Sequence, residues 1–369
     1  MKDKKEYQYI VVGAGIAGCS VANHLLKYSK DILLIDKGEN VASKASGAAG
    51  AFLSPLLGKP NNFKELVTKA LIYSTKFYKL KFNFFIDNCG TVRIPKNKDD
   101  EKKFLTYTKF MDFPYMKTEQ GYFFKIGSVV NSIGMCKALV NNSAIKKMFN
   151  YKVKDIQYDG TNWHLNNELI AKKLIVTTGI NKEVIKEPYI NIKALWGRRI
   201  DVTTSTQLNH NFHKECSVSK SFEVSKDKYR VSIGATHSRD KEGIDNIIDQ
   251  NQLLLQRASD IVDLEDVNIV REYSGARACS NDYFPFVGEL IDSNKTVKLF
   301  PHLKNGTYVN PNRFIRFKDL YILNGVGGRG FVLAPYLANM LVEYIHNNGS
   351  IYDNVKVDRL FIREIKRSN

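Results

Sequence analysis

Apolar residues early in the chain come in short unbroken runs. Tyr9-Ile-Val-Val12 is closed by Gly13, and Ile32-Leu-Leu-Ile35 is closed by Asp36. Runs of this length predict strands buried on both faces, and the stretch between them predicts a helix, so residues 7–36 form a β-α-β unit. From Phe63 to Lys81 the period changes. Phe63, Leu66, Val67, Ala70, Ser74 and Phe77 fall on one helical face, a stripe most simply explained as core. Gly90-Thr-Val-Arg-Ile-Pro95 opens a mixed, aromatic and lysine-rich region that runs to about Tyr122. Residues 151–158 and 162–165 flank Asp159-Gly160, which predicts a hairpin with a two-residue primed turn. Lys173 to Thr178 is a buried strand that ends at Gly179. From about Ile200 to Tyr273 the pattern gives strands with one helix near Asp245 to Ile261. The last segment repeats the order of the first, with a strand Leu320–Leu323, a glycine loop Gly325–Gly330, and a helix Phe331–Ile345 in which Pro335 should sit in the first turns, where a missing N–H is tolerated.

The turn after the first strand reads Gly13-Ala-Gly15-Ile16-Ala-Gly18. Gly13 permits a tight turn, Gly15 lets backbone approach a pyrophosphate, and Gly18 lets the helix pack close to the strand. The helix then presents bare N–H groups and the positive end of its dipole to phosphate. Asp36 lies 18 residues past Gly18, where an acid accepts hydrogen bonds from adenosine ribose hydroxyls. Further on, Ala45-Ser46-Gly47-Ala-Ala-Gly50 and Ser54-Pro55 read as a backbone-rich loop suited to lying against a ligand. The second glycine loop, with Gly328, Arg329 and Gly330, would aim another helix dipole at an electron-rich ring. A flavin has that demand, since its reduction places negative charge near N1, and a nicotinamide does not. A helix-start turn without a ligand is the alternative at this loop.

Composition narrows the classes. The 369 residues, 43% hydrophobic and 25% charged, suit a globular chain of about two domains. No apolar run reaches the roughly 18 residues of a membrane span, so neither anchor nor signal peptide is expected. Cys19, Cys89, Cys136, Cys216 and Cys279 are scattered, without a CxxC pair. They read as free thiols in a reducing compartment, which makes a cytoplasmic location the expectation. The histidines show no metal-ligand spacing, so no metal is expected. A net charge of +17 favours a polyanionic partner such as nucleic acid, although the lysines are dispersed enough to reflect composition alone.

These motifs occur in the order of a known group. The first unit, Ala45-Ser46-Gly47, the strand ending at Gly179, Gly275-Ala-Arg277-Ala, Asp282-Tyr-Phe-Pro285-Phe-Val-Gly288 and Gly328-Arg329-Gly330 resemble the D-amino-acid oxidase and glycine oxidase superfamily of FAD enzymes. Within it, Ser54-Pro55-Leu56-Leu57, Gly234-Ala235-Thr236 and Ala334-Pro335 are most similar to the C-terminal oxidoreductase domain of the MnmC family of tRNA wobble-uridine modification enzymes. The resemblance covers nearly the whole chain. Ala48 stands where that family has Asn, and Trp196-Gly197-Arg198 where it has Arg-Gly-Gln. The family's preceding methyltransferase domain is not matched, so a separate methyltransferase acting on the product is an expected partner.

The resemblance implies an α/β fold in which a Rossmann-like FAD-binding domain (1–82, 125–195 and 271–369) is interleaved with a smaller α+β substrate domain (83–124 and 196–270). It implies non-covalent FAD held by Gly13, Gly15, Ile16, Gly18, Asp36, Lys37, Ala45, Ser46, Gly47, Val153, Gly179, Gly328, Arg329 and Gly330, with Cys279 forming no bond to it. The implied reaction removes the carboxymethyl group, as glyoxylate, from 5-carboxymethylaminomethyl-uridine in tRNA. A free amine such as glycine is the alternative substrate. Arg277 matches the position that holds the substrate carboxylate, with Arg198 and Arg329 next in line. Its other explanation is a brace paired with an acid such as Asp282. Tyr283, His237 and Tyr308 are weaker lining candidates. Lys193, Arg198, Arg199 and Lys226 are expected around the mouth, facing tRNA phosphates.

Overall fold

The computed structural model describes residues 4–241 and 246–367. Its spine is five parallel strands, in spatial order Ile145–Met148, β2 (Ile32–Ile35), β1 (Lys5–Val12), Leu169–Val176 and Arg316–Asn324. Phe286–Ile291 pairs antiparallel with the last of these, and Ile156–Tyr158 and Trp163–Leu165 extend the early half of Leu169–Val176. The unbroken apolar runs have the expected cause. Tyr9 and Val11 pack into one core with the helices α1 (Ile16–Leu25), α3 (Asn62–Lys81) and Gly330–Asn347, while Ile10 and Val12 pack into another with Leu174, Leu290 and Phe361. Both faces of the sheet are covered, which is the normal state of a parallel sheet.

A second, nine-stranded sheet is arranged as Asn268–Cys279, Lys193–Thr204, Lys228–Gly234, Ser217–Val218, Asn211–His213, Thr91–Arg93, Tyr122–Phe124 and Met116–Lys117, with Phe222–Ser225 pairing with the early half of Lys228–Gly234. The helix Ile247–Ser259 buries Leu254 and Ala258 against it. Asp245, where that helix was expected to begin, lies outside the described residues.

α3 runs from Asn62 to Lys81, and Asn61 caps it by accepting from the Lys64 N–H at 2.9 Å. Three expectations are corrected. Ala45–Ala48 is a short helix, α2, and not an open loop. Its small side chains let a strand of the second sheet lie on it, since a Cβ at Gly275 would come within 2.9 Å of Ala45 Cα. The hairpin turn is centred one residue later than expected: Tyr158 pairs with Trp163 and the Asp159 N–H donates to the Asn162 carbonyl at 3.2 Å, which leaves Gly160 and Thr161 between them. Asp159 Oδ1 accepts from both Thr161 and Asn162 at 2.8 Å, so the aspartate and not a primed Asp-Gly pair shapes the turn. Pro335 lies sixth in the helix Gly330–Asn347, past the first turn. It leaves the Phe331 carbonyl without its helical donor, and Tyr78 Oη of α3 supplies one at 3.1 Å. Ser74 Oγ donates to the next carbonyl, Val332, at 2.7 Å.

α1 is tied to α3 by His24, whose Nδ1 lies 2.7 Å from the Ser20 carbonyl and whose Nε2 lies 2.8 Å from Tyr73 Oη. A carbonyl only accepts, so Nδ1 carries the proton and Nε2 accepts from the tyrosine. Burial lowers the His24 pKa from 6.5 to about 4.

Two outcomes follow for stability. Tyr78→Phe strands a buried carbonyl and is expected to cost about 1–3 kcal/mol, measured by denaturant unfolding at fixed FAD. A folded-state pKa below the unfolded one means that the unfolded chain takes up a proton the folded chain refuses. The His24 contribution is therefore intact above pH 6.5 and lost as pH falls toward 4, with a slope of at most about 1.4 kcal/mol per pH unit. Melting curves between these limits should flatten in His24→Gln relative to the parent protein.

Candidate active site

The β1–α1 turn is built by close approach. Gly13 has φ +111°, and a Cβ there would meet the Thr177 carbonyl oxygen at 2.5 Å; one at Gly18 would meet the Gly13 carbonyl oxygen at 1.8 Å. Thr177 fastens the turn, since its hydroxyl donates to the carbonyls of Val12 (2.9 Å) and Gly13 (3.0 Å). Gly15 differs. A Cβ there would meet only Ser46 Oγ, at 3.0 Å, so the space above the helix entrance is open on the other sides. Gly15 is also the N-cap and provides no side-chain cap. Helix N–H groups facing an open cradle suit a pyrophosphate, and this is the observation on which the fit of FAD rests.

Around that entrance, Ser46 Oγ of α2 accepts from the Ile16 N–H at 2.9 Å. Asp36 accepts from the Ala14 N–H at 2.6 Å through Oδ2 and from the Gly38 N–H at 2.7 Å through Oδ1. The carboxylate thus braces the glycine turn from the end of β2, and each oxygen keeps a lone pair for a ligand hydroxyl. The segment after Met148 runs beside it, with the Tyr151 N–H on the Asp36 carbonyl at 2.9 Å. This brings Val153 into the neighbourhood, with its side chain buried in the core, while Lys37 is exposed. Gly47 is buried, and a Cβ there would meet the Ala42 carbonyl oxygen at 2.2 Å. Gly179 has φ +60° with open space around it, and its carbonyl accepts from Asn324 at 2.9 Å.

The second glycine loop meets the first. A Cβ at Gly330 would lie 3.1 Å from the Ile16 side chain, so the entrances of α1 and of the helix Gly330–Asn347 adjoin. Gly328 faces Arg277, whose Cδ would lie 3.5 Å from a Cβ there. The Arg277 guanidinium lies over Gly197, where a Cβ would come within 2.7 Å, and donates to the carbonyls of Trp196 and Thr236 at 3.4 Å. Among the described residues it has no carboxylate partner. The brace explanation fails, because Asp282 pairs instead with Arg359 and Arg363, at 3.1 and 3.0 Å. Burial lowers the Arg277 pKa, and the Cys279 thiol beside it is raised by burial.

Other expected residues lie elsewhere. Arg198 is buried against Glu272 at 2.7 Å. Arg199 is buried with Asp201 at 3.4 Å, stacks 3.8 Å from the Tyr273 ring centroid and donates to the Ala49 carbonyl. Both therefore bind the second sheet together and do not face outward as phosphate contacts. Lys193 and Lys226 are exposed, as are His237, Tyr283 and Tyr308. Arg329 stands at the glycine loop as expected, where its Nη1 donates to the Ser54 carbonyl at 3.2 Å. Beside it is a residue to which the motifs assign no role, Arg93, whose Nη1 donates to the Pro55 carbonyl at 2.8 Å. Among the described residues no group of His, Cys, Asp and Glu is arranged to hold a metal, and no helix is long and apolar enough to cross a membrane.

Comparison with known proteins agrees with this geometry. The family model described as FAD dependent oxidoreductase, DAO, matches residues 8–344. The chain is 23% identical over 377 residues to the tRNA 5-methylaminomethyl-2-thiouridine biosynthesis bifunctional protein MnmC of Legionella pneumophila, covering 94% of this chain and 55% of that one. Against the protein of the same name from Campylobacter fetus it is 22% identical, covering 97% and 60%. The chain thus spans little more than half the length of these curated relatives. Among solved structures, glycine oxidase from Geobacillus kaustophilus superposes with a TM-score of 0.71 at 17% identity, covering 94% of this chain and 96% of that one. Glycine oxidase from Bacillus cereus gives 0.71 at 18%, covering 93% and 96%. These two show the fold.

A Cβ at Gly15 meets no backbone within 4 Å, so Gly15→Val is expected to fill the cradle and leave the turn in place. The expected product is a folded but colourless protein, checked by far-UV circular dichroism against flavin absorbance per chain. Retention of a full complement of FAD would remove Gly15 from the pyrophosphate site.

Proposed function

The chain belongs to the FAD dependent oxidoreductase family, DAO, and on that premise we propose that it removes the carboxymethyl group from 5-carboxymethylaminomethyl-(2-thio)uridine at the tRNA wobble position. FAD, when bound, supplies the two-electron acceptor for a CH–NH bond. The substrate arm is R–CH2–NH–CH2–COO⁻. Loss of two electrons and two protons from the glycine-like N–CH2 unit gives an imine, and water then cleaves it to R–CH2–NH2 and glyoxylate. The product is the 5-aminomethyl-uridine, which a methyltransferase would consume.

The observation that carries this reading is Arg277. It is a half-buried guanidinium that has no acid partner among the described residues, beside the second glycine loop. A carboxylate is the group that its fork matches by two parallel hydrogen bonds. The first glycine loop, Asp36, Ser46 and the Gly328–Gly330 loop would hold the cofactor. Arg277 would then orient the glycine-like arm, which places the reacting carbon without a protein base. The relatives that match over nearly the whole chain are named for tRNA modification, and the +17 charge suits a polyanion. A free-amine oxidase is the second reading. The internal pairing of Arg198 and Arg199 favours it, since it removes two cations from the expected phosphate-facing rim.

Arg277→Ala should keep FAD and lose about 2–5 kcal/mol of transition-state or substrate binding, a loss of roughly 30-fold or more in kcat/KM. Arg277→Lys should recover little, because an ammonium cannot reproduce the fork. Anaerobic flavin bleaching by hypomodified tRNA, compared with bleaching by glycine, separates the two readings. For the tRNA reading, binding should weaken with a log–log salt slope of about −0.7 to −0.9 per phosphate neutralised. Efficient turnover of glycine with no salt-sensitive tRNA binding selects the free-amine reading.

A further inference from the structure

We propose that Arg93 and Arg329 form a second anion subsite next to Arg277, so that the preferred amine carries two anionic groups, one on each side of the reacting nitrogen. This deepens the reading above and rests on its assignment of the first carboxylate to Arg277.

The two side chains arrive from different parts of the fold. Arg93 comes from the strand Thr91–Arg93 of the second sheet, and Arg329 from the glycine loop that opens the helix Gly330–Asn347. They converge on consecutive residues. Arg329 Nη1 donates to the Ser54 carbonyl at 3.2 Å, while Arg93 Nη1 donates to the Pro55 carbonyl at 2.8 Å and approaches Ser54 Oγ at 3.5 Å. Neither has a carboxylate within ion-pair distance among the described residues, and Arg93 Nε is buried without a partner. Burial lowers both pKa values, and Arg93 is lowered further by Arg329. Asp100 is the one acid that acts on Arg93, and it is the smallest of the influences there. Its carboxylate already accepts from the Lys96 N–H at 3.1 Å.

The adjacent strand adds no negative charge. His213 pairs with Arg93 in register and holds Ser217 Oγ at 2.7 Å through Nδ1. Burial, followed by the charges of Arg93, Arg329 and Lys96, pushes its pKa well below 6.5. Two guanidiniums that repel one another, with a neutral histidine and an unpaired Nε, form an arrangement that costs folding energy until an anion compensates it. Backbone carbonyls fix the forks in place and leave the full positive charge for a ligand. Arg277 passes the same loop at Gly328, one residue before Arg329, which sets the two subsites along one loop. The ligand chemistry is a carboxylate or a phosphate. On a tRNA substrate it would be a backbone phosphate, and on a free amine a second carboxylate.

The test uses FAD-loaded protein and three probes: sarcosine, with one anionic group; iminodiacetate, with two carboxylates; and N-(phosphonomethyl)glycine, with a carboxylate and a phosphonate. Affinity is read from the shift or bleaching of the flavin spectrum. The expected result is that one or both dianions bind at least about tenfold more tightly than sarcosine, a difference of about 1.4 kcal/mol. Arg93→Gln removes the charge, and because its amide ends near the position of Nε and short of Nη1, it also loosens the Pro55 contact; unchanged FAD occupancy and sarcosine affinity in this variant show that the loop has stayed in place. The variant should collapse the dianion-to-monoanion ratio toward one. Arg93→Lys should keep part of it. Equal affinity of all three probes for the parent protein, or an unchanged ratio in Arg93→Gln, overturns the subsite and leaves Arg93 as a strut for Ser54–Pro55. Preference between carboxylate and phosphonate identifies the ligand source. The tRNA bleaching assay is scored separately, so failure of the tRNA reading with a retained dianion preference would be visible as such.

Discussion

The distance between the Gly13 carbonyl and Gly18 governs the rest of the structure. A methyl group at Gly18 would overlap that carbonyl oxygen at 1.8 Å, which no rotamer change can relieve. Only with hydrogen at this position can α1 start directly over the end of β1, and only then does its N-terminus open onto the cradle at Gly15. Thr177 carries the constraint into the next strand by donating to both Val12 and Gly13, and Asp36 carries it into β2 through the Ala14 N–H. Three neighbouring strand ends are thereby locked to one turn. The second glycine loop can meet the first at Ile16 because that turn is fixed.

Two further glycines let the second sheet reach this centre. Gly275 allows its strand to lie on α2, against Ala45 and Ala48, and Gly197 leaves the space that the Arg277 guanidinium occupies. These contacts give physical content to the departures from the family pattern. At Ala48 the neighbouring strand would lie 3.1 Å from its methyl group if Gly275 had a Cβ, so the position is sterically tight and a small residue suits it. In Trp196-Gly197-Arg198 the glycine makes room for Arg277, whereas Arg198 turns to Glu272. The triplet touches the site through Gly197 and through the Trp196 backbone carbonyl that accepts from Arg277, neither of which depends on the side chains that depart from the family pattern.

Much of this was legible because backbone chemistry dominates it. The Gly-x-Gly-x-x-Gly spacing, the buried runs of β1 and β2, and the face of α3 each follow from local rules, and the structure places them as expected. What was not legible depends on partners distant in sequence. Pro335 looks like a first-turn proline until Tyr78 of α3 supplies the missing donor to Phe331. Arg198 and Arg199 look like a basic rim until Glu272, Asp201 and Tyr273 fold over them. Arg93 gave one signal that could have been used. It ends the short strand Thr91–Arg93 with Val92 before it and Ile94 after it, and a cation between two apolar residues needs a reason.

The reason is electrostatic. Acids are available in this chain and are used where a guanidinium serves structure: Asp358 for Arg316, Asp282 for Arg359, Glu272 for Arg198 and Asp201 for Arg199. Arg277, Arg329 and Arg93 are the contrasting set, held by uncharged oxygens. A half-buried charge left without a counter-charge weighs against folding, and the acids set against Arg198, Arg199, Arg316 and Arg359 show how this fold compensates a guanidinium that serves structure. Strain of this kind concentrates where a ligand relieves it. Arg277 lies against the second glycine loop at Gly328, Arg329 belongs to that loop, and Arg93 shares the Ser54–Pro55 segment with Arg329, so the proposed anion sites and the loop assigned to the flavin are neighbours. On the proposed function, an anionic amine would neutralise the cluster beside the place where electron transfer to FAD would add negative charge.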